Sequence, residues 1–393
     1  MDTNAFYRDT WAEINLTAIK NNVSHMKDHI GQKVQLMAVV KANAYGHGDI
    51  EVARTALKAG ADLLAVAFLD EAISLRNKGI KAPILILGAV PPEYVKTAVR
   101  YNVIMTAYSI EWLREVASIM KGQMGQPIRF HLKIDSGMNR LGVKTLEQVS
   151  EVKKLVSEHS YLQLEGVFTH FATADEKDED YFERQVDTFQ TLLQPFQTDK
   201  LLVHCANSAA GLRFKEVLFN MVRFGISMYG LSPSEEIKDE LPFKLEEAMS
   251  LHTKLAHVKL IQKGESVSYG ATYTANHDMW IGTVPVGYAD GWIRKLAGAE
   301  VLVGGKRRKI AGRVCMDQFM VELKENLPVG EPVVLIGGQG EEMVSVDEIA
   351  KRLETINYEV TCSIGYRVPR VYLEDGKRVH VRNPLLQGGA SFF

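Results

Sequence analysis

The chain has 393 residues, with 46% hydrophobic and 24% charged side chains and a formal net charge of −2. This length predicts two domains, and the near-neutral charge disfavours a nucleic-acid or anionic-membrane partner. No signal-peptide pattern and no apolar run long enough to cross a bilayer is present, so we expect a cytoplasmic protein. The three cysteines are few and widely spaced, which predicts a reduced protein without disulfides.

From residue 34 to residue 231, short apolar runs alternate with amphipathic stretches. A helix over Thr17–Ile30 precedes the first run, and further helices are predicted at Asp49–Ala59, Ser109–Met120 and Asp180–Leu193. The runs are apolar almost throughout, as in parallel strands covered on both faces. Eight of them predict a (β/α)8 TIM-type barrel, while a doubly wound open sheet is disfavoured because no G-x-G-x-x-G motif is present. The runs are Gln35–Val40, Leu63–Phe68, Pro83–Gly88, Val103–Tyr108, Ile128–Ile134, Leu164–His170, Leu201–Ala206 and Met221–Met228.

A Ser-, Pro- and Glu-rich stretch near residues 233–242 marks a linker. It divides a barrel domain, residues 1–242, from a mostly β domain, residues 243–393, with which about the first 12 residues are also expected to pack. One helix, Val346–Leu353, interrupts the second domain, and the basic run Lys306–Lys309 predicts a solvated hairpin. Strands are predicted at His257–Ile261, Met279–Val286, Glu300–Val303, Arg313–Glu322 and Pro332–Ile336.

Polar residues stand at the ends of five barrel strands. Because the carboxyl ends of barrel strands meet at one rim, these residues are expected to lie together as an active site. Taken singly, each has a structural alternative: Lys41 leaving a strand into solvent, His170 as a core histidine, and Arg223 in a surface ion pair. The residues are Lys41, Lys133, Asp135, Arg140, His170, His204, Asn207, Ser208, Arg223, Gly225 and Ile226.

The chemistry of this rim favours an aldehyde cofactor over a metal. Asp135 is the main acidic candidate, whereas divalent metal sites need several ligands at close spacing. Lys41 follows a buried strand and suits a Schiff base with pyridoxal 5'-phosphate. Tyr45, Ser208 and the backbone at Gly225-Ile226 are candidates to hold the phosphate, and the Gly-rich turn after Lys41 is a second place where a phosphate approaches backbone amides.

Segments along the whole chain closely resemble the bacterial alanine racemases, which use pyridoxal phosphate. The resemblance implies that catalysis uses two bases, with Lys41 binding the cofactor as a Schiff base and Tyr269 opposing it. The matching segments are 38–48 (AVVKANAYGHG), 131–142 (HLKIDSGMNRLG), 166–175 (GVFTHFATAD), 204–208 (HCANS), 222–231 (VRFGISMYGL), 268–273 (SYGATY), 286–291 (VGYADG), 313–318 (RVCMDQ) and 366–370 (YRVPR).

The resemblance assigns supporting roles to further positions. Arg223 is implied to contact the pyridine nitrogen, His170 to tune Tyr269, and His204 to support Arg223. Arg140, helped by the backbone of Met316, is implied to meet the substrate carboxylate, and Tyr288 to narrow the substrate pocket. The phosphate would be held by Tyr45, Ser208, Gly225, Ile226 and Tyr358. An access corridor would be lined by Asp175, Arg294 and Arg313.

The family also implies a homodimer with shared sites, in which Tyr269 comes from the second domain of the partner subunit, and alanine as the substrate. Its product, D-alanine, would supply cell-wall peptidoglycan, although alanine catabolism remains open. Some family members carry carbon dioxide on the lysine that matches Lys133, as a carbamate. The local reason is charge, since an ordinary ammonium beside Arg140 would place two cations together.

Three alternatives compete with this interpretation. A fold-related pyridoxal-phosphate decarboxylase places a glutamate at the ring nitrogen, which Arg223 contradicts. A non-catalytic single-barrel pyridoxal-phosphate protein lacks the β domain that begins near Phe243. A racemase acting on lysine, arginine or serine would use the same scaffold, but Tyr45, Tyr288 and Tyr358 favour a methyl side chain.

Overall fold

The computed structural model describes residues 6–122 and 126–387, and the chain divides into two compact units. The first comprises residues 18–44 and 49–246. The second comprises the residues through Thr17, the short segment Tyr45–Gly48, and the residues from Glu247 onward. The observed boundary thus falls just after the predicted one at residues 242/243, and the second unit also takes a loop from inside the first.

The first unit is an eight-stranded parallel barrel, which confirms the predicted fold class. Its strands form two four-stranded parallel sheets. A bridge between Leu85 and Ile104 joins the sheets on one side, and the N–H of Arg223 donates to the carbonyl oxygen of Ala206 at 3.0 Å on the other. The strands are Gln35–Val39, Leu63–Val66, Ile84–Ile86, Met105–Ala107, Ile128–Lys133, Leu162–Phe168, Leu202–His204 and Met221–Phe224.

Helices lie between the barrel strands. These stretches form helices because their apolar residues recur at helical spacing, so that each helix can bury one face. In Ile110–Met120 the buried face includes Ile110, Leu113, Val116 and Met120, and the hydroxyl of Ser109 caps the helix by accepting the N–H of Trp112 at 3.1 Å. The other helices from residue 16 to residue 213 are Leu16–Ile30, Asp49–Lys58, Leu69–Asn77, Val95–Arg100, Leu146–Glu158, Asp180–Leu193 and Ser208–Arg213.

The second unit is built mainly on antiparallel strands. Its first strand, Thr10–Asn15, pairs antiparallel with Met249–Lys254 and parallel with Arg370–Glu374. Its helices are Val346–Leu353, Asn357–Ser363 and Pro384–Gln387. The remaining strands are His257–Ile261, Ser266–Val267, Tyr273–Thr274, Met279–Val284, Glu300–Val303, Lys306–Ala311, Phe319–Leu323, Pro332–Gln339, Glu342–Val344 and Lys377–Arg382.

Two expectations about the second unit are corrected. The predicted strand Arg313–Glu322 is a strand only at Phe319–Leu323, and the residues before it form a loop. The basic run does lie in a hairpin, but it is not simply solvated. Arg308 is buried and pairs with Glu325 at 2.7 Å, and Arg307 pairs with Glu348 at 2.7 Å. Two further glutamates also pair with Arg307, so four glutamates surround the run.

None of the three cysteines, all of which lie in the described part of the chain, forms a disulfide, and Cys205 is buried. Among the described residues, no helix is both long and apolar enough to cross a membrane.

Candidate active site

The chain makes a left-handed turn directly after the first barrel strand. Ala42, Asn43 and Ala44 have φ of 53°, 54° and 53° with ψ of 51°, 44° and 54°. Each non-glycine residue in this region costs about 1–2 kcal/mol, so the turn needs outside support. Glu71 gives part of it, because its carboxylate accepts the N–H of Ala42 at 2.6 Å and that of Ala67 at 2.7 Å. Lys41, half-buried, is therefore presented by a strained turn fixed to the neighbouring strand.

The glycines after this turn pack tightly against other residues of the second unit. A Cβ on Gly46 would lie 2.1 Å from the carbonyl oxygen of Thr361, and one on Gly48 would lie 1.8 Å from the hydroxyl of Tyr372. Arg370 also donates to the carbonyl oxygen of Gly46 at 3.0 Å. These glycines are required for close packing within the second unit, because no side chain would fit at either position.

Arg223 is the centre of a buried hydrogen-bond network in the barrel. Its Nη1 donates to Nδ1 and to the carbonyl oxygen of His204 at 3.0 and 2.9 Å. Its Nη2 donates to the carbonyl oxygens of Thr169 and Cys205, both at 2.9 Å, and to Nδ1 of His170 at 3.2 Å. Burial lowers the pKa of Arg223 to about 10, so the guanidinium stays charged at neutral pH. All these partners are uncharged oxygens or imidazole nitrogens, so the positive charge is not neutralised by a carboxylate.

The guanidinium also fixes the tautomers of two histidines. Arginine has donors only, so Nδ1 of both His170 and His204 must be an acceptor. Burial lowers the pKa of each histidine well below its usual value, and the charge of Arg223 lowers both further. Both rings are therefore neutral, with the hydrogen on Nε2. The surface ion pair considered for Arg223 is thus wrong, and His170 belongs to the network rather than to the apolar core.

Lys133 lies close to this network. Its Nζ is 4.4 Å from the centre of the Phe168 ring, which stacks on His204 at 4.7 Å. Burial lowers the pKa of Lys133 well below its usual value, and Arg223 and Arg140 lower it further. Asp135 opposes that shift, but its carboxylate also accepts the N–H groups of Gly137 and Asn139 at 3.1 and 2.9 Å. The acid thus shapes the loop that carries the exposed Arg140.

The residues predicted to hold a phosphate fall into two groups. In the barrel, the hydroxyl of Ser208 accepts the N–H of Gly225 at 2.9 Å, so that amide is already used. Ser208 still has its own hydrogen to donate, and Ile226 opens a short 3-10 turn whose first N–H groups lack partners inside the turn. In the second unit, Tyr45 and Tyr358 lie with ring centres 6.0 Å apart, and burial raises the pKa of Tyr45.

The second unit contains a cavity of about 400 Å³ that unites four predicted residues. It is lined by Tyr269, Tyr288, Arg294, Arg313, Val314 and Cys315. Tyr269 is 72% exposed and stands on a turn that begins at Ser268, where φ is 72°. The hydroxyl of Ser268 holds this turn by accepting the N–H of Arg313 at 3.0 Å and by donating to its carbonyl oxygen at 2.8 Å.

The three predicted corridor residues are not all brought together within one unit. Arg294 and Arg313 line the cavity of the second unit. Asp175 lies in the barrel unit, where its carbonyl oxygen accepts the hydroxyl of Ser234 and burial raises the pKa of its carboxyl group. Met316, in the second unit, is 52% exposed.

Sequence reasoning assigned no role to His131. This fully buried residue places Nδ1 2.8 Å from Nε2 of His204 and so extends the Arg223 network. The available signal was a single histidine within the apolar strand Ile128–Lys133. Over residues 6–122 and 126–387, no group of three or more His, Cys, Asp or Glu side chains could hold a metal ion.

Fold and site define a barrel enzyme with an appended β domain, whose basic residues gather on the ends of the barrel strands. Family models for the alanine racemase N-terminal and C-terminal domains match residues 14–233 and 248–372. The chain therefore belongs to the alanine racemase family. Alanine racemase 1 of Bacillus subtilis (strain 168) is 64% identical over 98% of this chain and 99% of its own length.

Solved structures agree with this assignment. Alanine racemase from Bacillus anthracis with bound L-Ala-P has a TM-score of 0.93 and 50% identity, covering 97% of this chain and 99% of that one. Histidine racemase from Leuconostoc mesenteroides has a TM-score of 0.88 and 32% identity, covering 95% of this chain and all of that one. The same scaffold thus carries racemases of different names.

Proposed function

We propose that this chain is a pyridoxal-phosphate-dependent alanine racemase that interconverts L- and D-alanine with two bases. The observation that carries the proposal is the buried Arg223, a charged donor with no carboxylate partner among the described residues, in a network with His170 and His204. This network is suited to meet an acceptor on a cofactor ring. The charge of Lys41 also reaches His170, where it contributes to the lowered pKa.

The residues present fit the cofactor. Lys41 would bind its aldehyde carbon, Arg223 would donate to its ring nitrogen, and Ser208 with the N–H of Ile226 would hold its phosphate, together with Tyr45 and Tyr358. When bound, pyridoxal phosphate withdraws electrons and makes the substrate α-hydrogen acidic. Arginine does not readily give up a proton, so Arg223 keeps the ring nitrogen unprotonated. That limits electron withdrawal and disfavours side reactions such as transamination.

Two bases account for the change of configuration. We propose that Lys41 Nζ and Tyr269 Oη act on opposite faces of the substrate, one removing the α-hydrogen and the other returning a proton. Tyrosine has an ordinary pKa near 10, so its anion needs support. Because Arg223 donates to Nδ1 of the neutral His170, the ring hydrogen lies on Nε2. A donor at Nε2 would stabilise the phenolate of Tyr269.

The site would be shared between the subunits of a homodimer, with Lys41 from one chain and Tyr269 from the partner's β unit. The support is that Tyr269, Tyr288 and Met316 expose 72%, 40% and 52% of their surfaces, an unusual grouping of large side chains for solvent. The partner's exposed tyrosine would then complete the barrel rim.

The substrate would be bound by its carboxylate and restricted by tyrosines. We propose that Arg140 and the backbone of Met316 meet the carboxylate, that Tyr288 limits the side-chain space, and that Asp175, Arg294 and Arg313 lie along the access corridor. The product would serve cell-wall precursor synthesis in the cytoplasm, a reducing compartment that suits three cysteines without a disulfide among the described residues.

The test is chiral analysis of turnover by the purified protein with added pyridoxal phosphate. L-alanine should become a racemic mixture, whereas lysine, arginine, serine and histidine should be turned over at least about tenfold more slowly, since tyrosines crowd the pocket. Carbon dioxide release would favour the decarboxylase alternative. Equal rates on alanine and on the larger amino acids would favour the broad-specificity racemase over the alanine-specific one.

A further inference from the structure

We propose that His131 is a positioning residue that acts through His204 to hold Arg223 in its donating orientation. The three side chains form a continuous buried series, with 3.0 Å from Arg223 Nη1 to His204 Nδ1 and 2.8 Å from His204 Nε2 to His131 Nδ1. What Arg223 meets in the working enzyme rests on the proposed function, but the order of the series rests on the protein alone.

The series has only one possible direction. Arg223 can only donate, so His204 accepts at Nδ1 and carries its hydrogen on Nε2. That hydrogen points at His131, which must therefore accept at Nδ1 and carry its own hydrogen on Nε2. The opposite order would place two N–H groups face to face at His204.

His131 is held in the state that this order requires. Burial lowers its pKa to about 3, and the charges of Arg129 and Arg223 contribute, so the ring stays neutral and Nδ1 keeps its lone pair. Space fixes the ring as well. A Cβ on Gly166 would lie 2.8 Å from both Cε1 and Nδ1 of His131, so the next strand touches the ring where a side chain would exclude it.

The free end of the series shows that His131 is not simply a well-satisfied core residue. Its Nε2 is buried without a hydrogen-bond partner among the described residues. An unsatisfied buried donor lowers stability, and an apolar residue of similar size would avoid that cost. The ring therefore supplies something that an apolar side chain cannot, and the contact on its other nitrogen identifies it as an acceptor for His204.

Loss of that acceptor would affect Arg223 through His204. The His204 Nε2–H would be left buried without a partner, and a change of tautomer would turn an N–H toward the guanidinium. Either outcome weakens the contact that orients Nη1 of Arg223. Because Arg223 is proposed to set the electronic state of the cofactor ring, the effect should appear in kcat more than in KM.

Three substitutions separate this role from packing. His131→Asn keeps an amide oxygen near the position of Nδ1, His131→Gln places it one methylene further away, and His131→Leu fills the space with an apolar group. If His131 is a positioning residue, the Asn variant should stay within about threefold of the wild-type kcat, and the Gln and Leu variants should lose about 10- to 100-fold in kcat. If His131 only fills space, the Leu variant should keep more activity than the Asn variant, since leucine is the better core residue. If the Leu variant fails to fold, the Asn and Gln pair still decides.

A readout independent of activity is the nitrogen NMR spectrum of the protein with 15N-labelled histidine. His131 and His204 should both appear as neutral Nε2–H tautomers, and His204 should change in the Leu and Gln variants but not in Asn. Thr106→Val is the matched control. It removes a buried hydrogen bond of 2.7 Å to Ile86 in the neighbouring strand and should leave kcat and the His204 signal unchanged.

The outcomes also separate this inference from the proposed function. A wild-type protein that does not racemise alanine would contradict the function and leave the tautomers testable. An active wild type in which Leu equals or exceeds Asn, or in which His204 carries its hydrogen on Nδ1, would overturn the role of His131.

Discussion

The buried carboxylate of Asp290 accepts a hydrogen bond from the backbone N–H of Gly287 at 3.0 Å and thereby closes the turn that carries Tyr288. This turn is docked by its backbone, since Tyr288 N–H donates to the carbonyl oxygen of Cys315 at 3.0 Å. Gly287 leaves no room for a side chain, because a Cβ would lie 2.3 Å from the carbonyl oxygen of Met316. The position of Tyr288 in the cavity is therefore set by Asp290.

Asp290→Asn should raise KM for alanine about fivefold and change kcat less. The Asp290 carboxylate accepts from the Gly287 N–H and pairs with the Arg8 guanidinium at 2.8 Å. A neutral amide is a weaker partner for both groups, so the turn should loosen. Tyr288 is proposed to limit the pocket without moving a proton, which is why binding should suffer first. Steady-state kinetics measures both constants.

Glu342→Gln, which removes a surface partner of Arg307 in the same unit, is the control and should leave KM unchanged. An unchanged KM in Asp290→Asn would show that the turn holds without the charge.

Lys41→Ala should abolish racemisation and the cofactor's covalent attachment. The wild type with pyridoxal phosphate should show a visible absorbance band that borohydride removes, leaving the label on a peptide containing Lys41. The control is Lys58→Ala, at the exposed end of the following helix, which should keep both properties. Labelling of a different lysine in the wild type would show that the Schiff base had been assigned to the wrong residue.

Mixing inactive Lys41→Ala and Tyr269→Phe subunits should restore activity if the site is shared. One of the two sites in each hybrid dimer keeps both bases, so an equal random mixture should reach about one quarter of wild-type activity. Mixing Lys41→Ala with the double variant Lys41→Ala/Tyr269→Phe leaves no complete site and serves as the control. If verified hybrids remain inactive, each site is built within one chain.

Lys133 should carry carbon dioxide as a carbamate. The lowered pKa keeps more of the amine neutral at neutral pH, and the neutral amine is the form that adds carbon dioxide. A carbamate would replace a cation beside Arg140 by an anion that accepts its hydrogen bonds. Lys133→Ala should lose about tenfold or more in kcat and recover part of it with acetate. Protein equilibrated with 13C-bicarbonate should show a bound carbamate signal in carbon NMR.

The amine and the carbamate also differ in their effect on stability. If the amine is unmodified, its folded-state pKa lies below its unfolded value, so the unfolded chain binds more protons and stability rises with pH toward about 10. Lys133→Met in buffer free of carbon dioxide should remove that dependence. An unmodified amine in high-resolution density at neutral pH, with no rescue by acetate, would rule the carbamate out.

The barrel could be predicted because its strands are continuous apolar runs, a pattern that needs no knowledge of distant partners. The second unit was harder. Met249–Lys254 and Arg370–Glu374 were not predicted as strands. Each pairs with Thr10–Asn15, far away in sequence, and that pairing cannot be read from the local residues. The helix Asn357–Ser363 was also missed. It is short, and its N-cap position holds Ile356, which forms no side-chain cap.

The residues of the candidate site could be predicted where they lie at the ends of predicted barrel strands. Arg223, His170 and His204 were expected at one rim, and both histidines do lie within hydrogen-bond distance of Arg223. Two features were beyond sequence reasoning. The left-handed turn runs through Ala42–Tyr45, and all of these residues except Asn43 disfavour positive φ individually. His131 lies inside a strand, where rim position gives no signal.

The strand Thr10–Asn15 has a consequence for synthesis on the ribosome. It is synthesised long before its two partners, Met249–Lys254 and Arg370–Glu374. At about 5–20 residues per second, the second partner follows roughly 20–70 s later. Throughout that interval its unpaired backbone edge is open to other chains, while the barrel can already collapse. We therefore expect nascent-chain aggregation to start at this strand, and chaperone binding to be most useful there during translation.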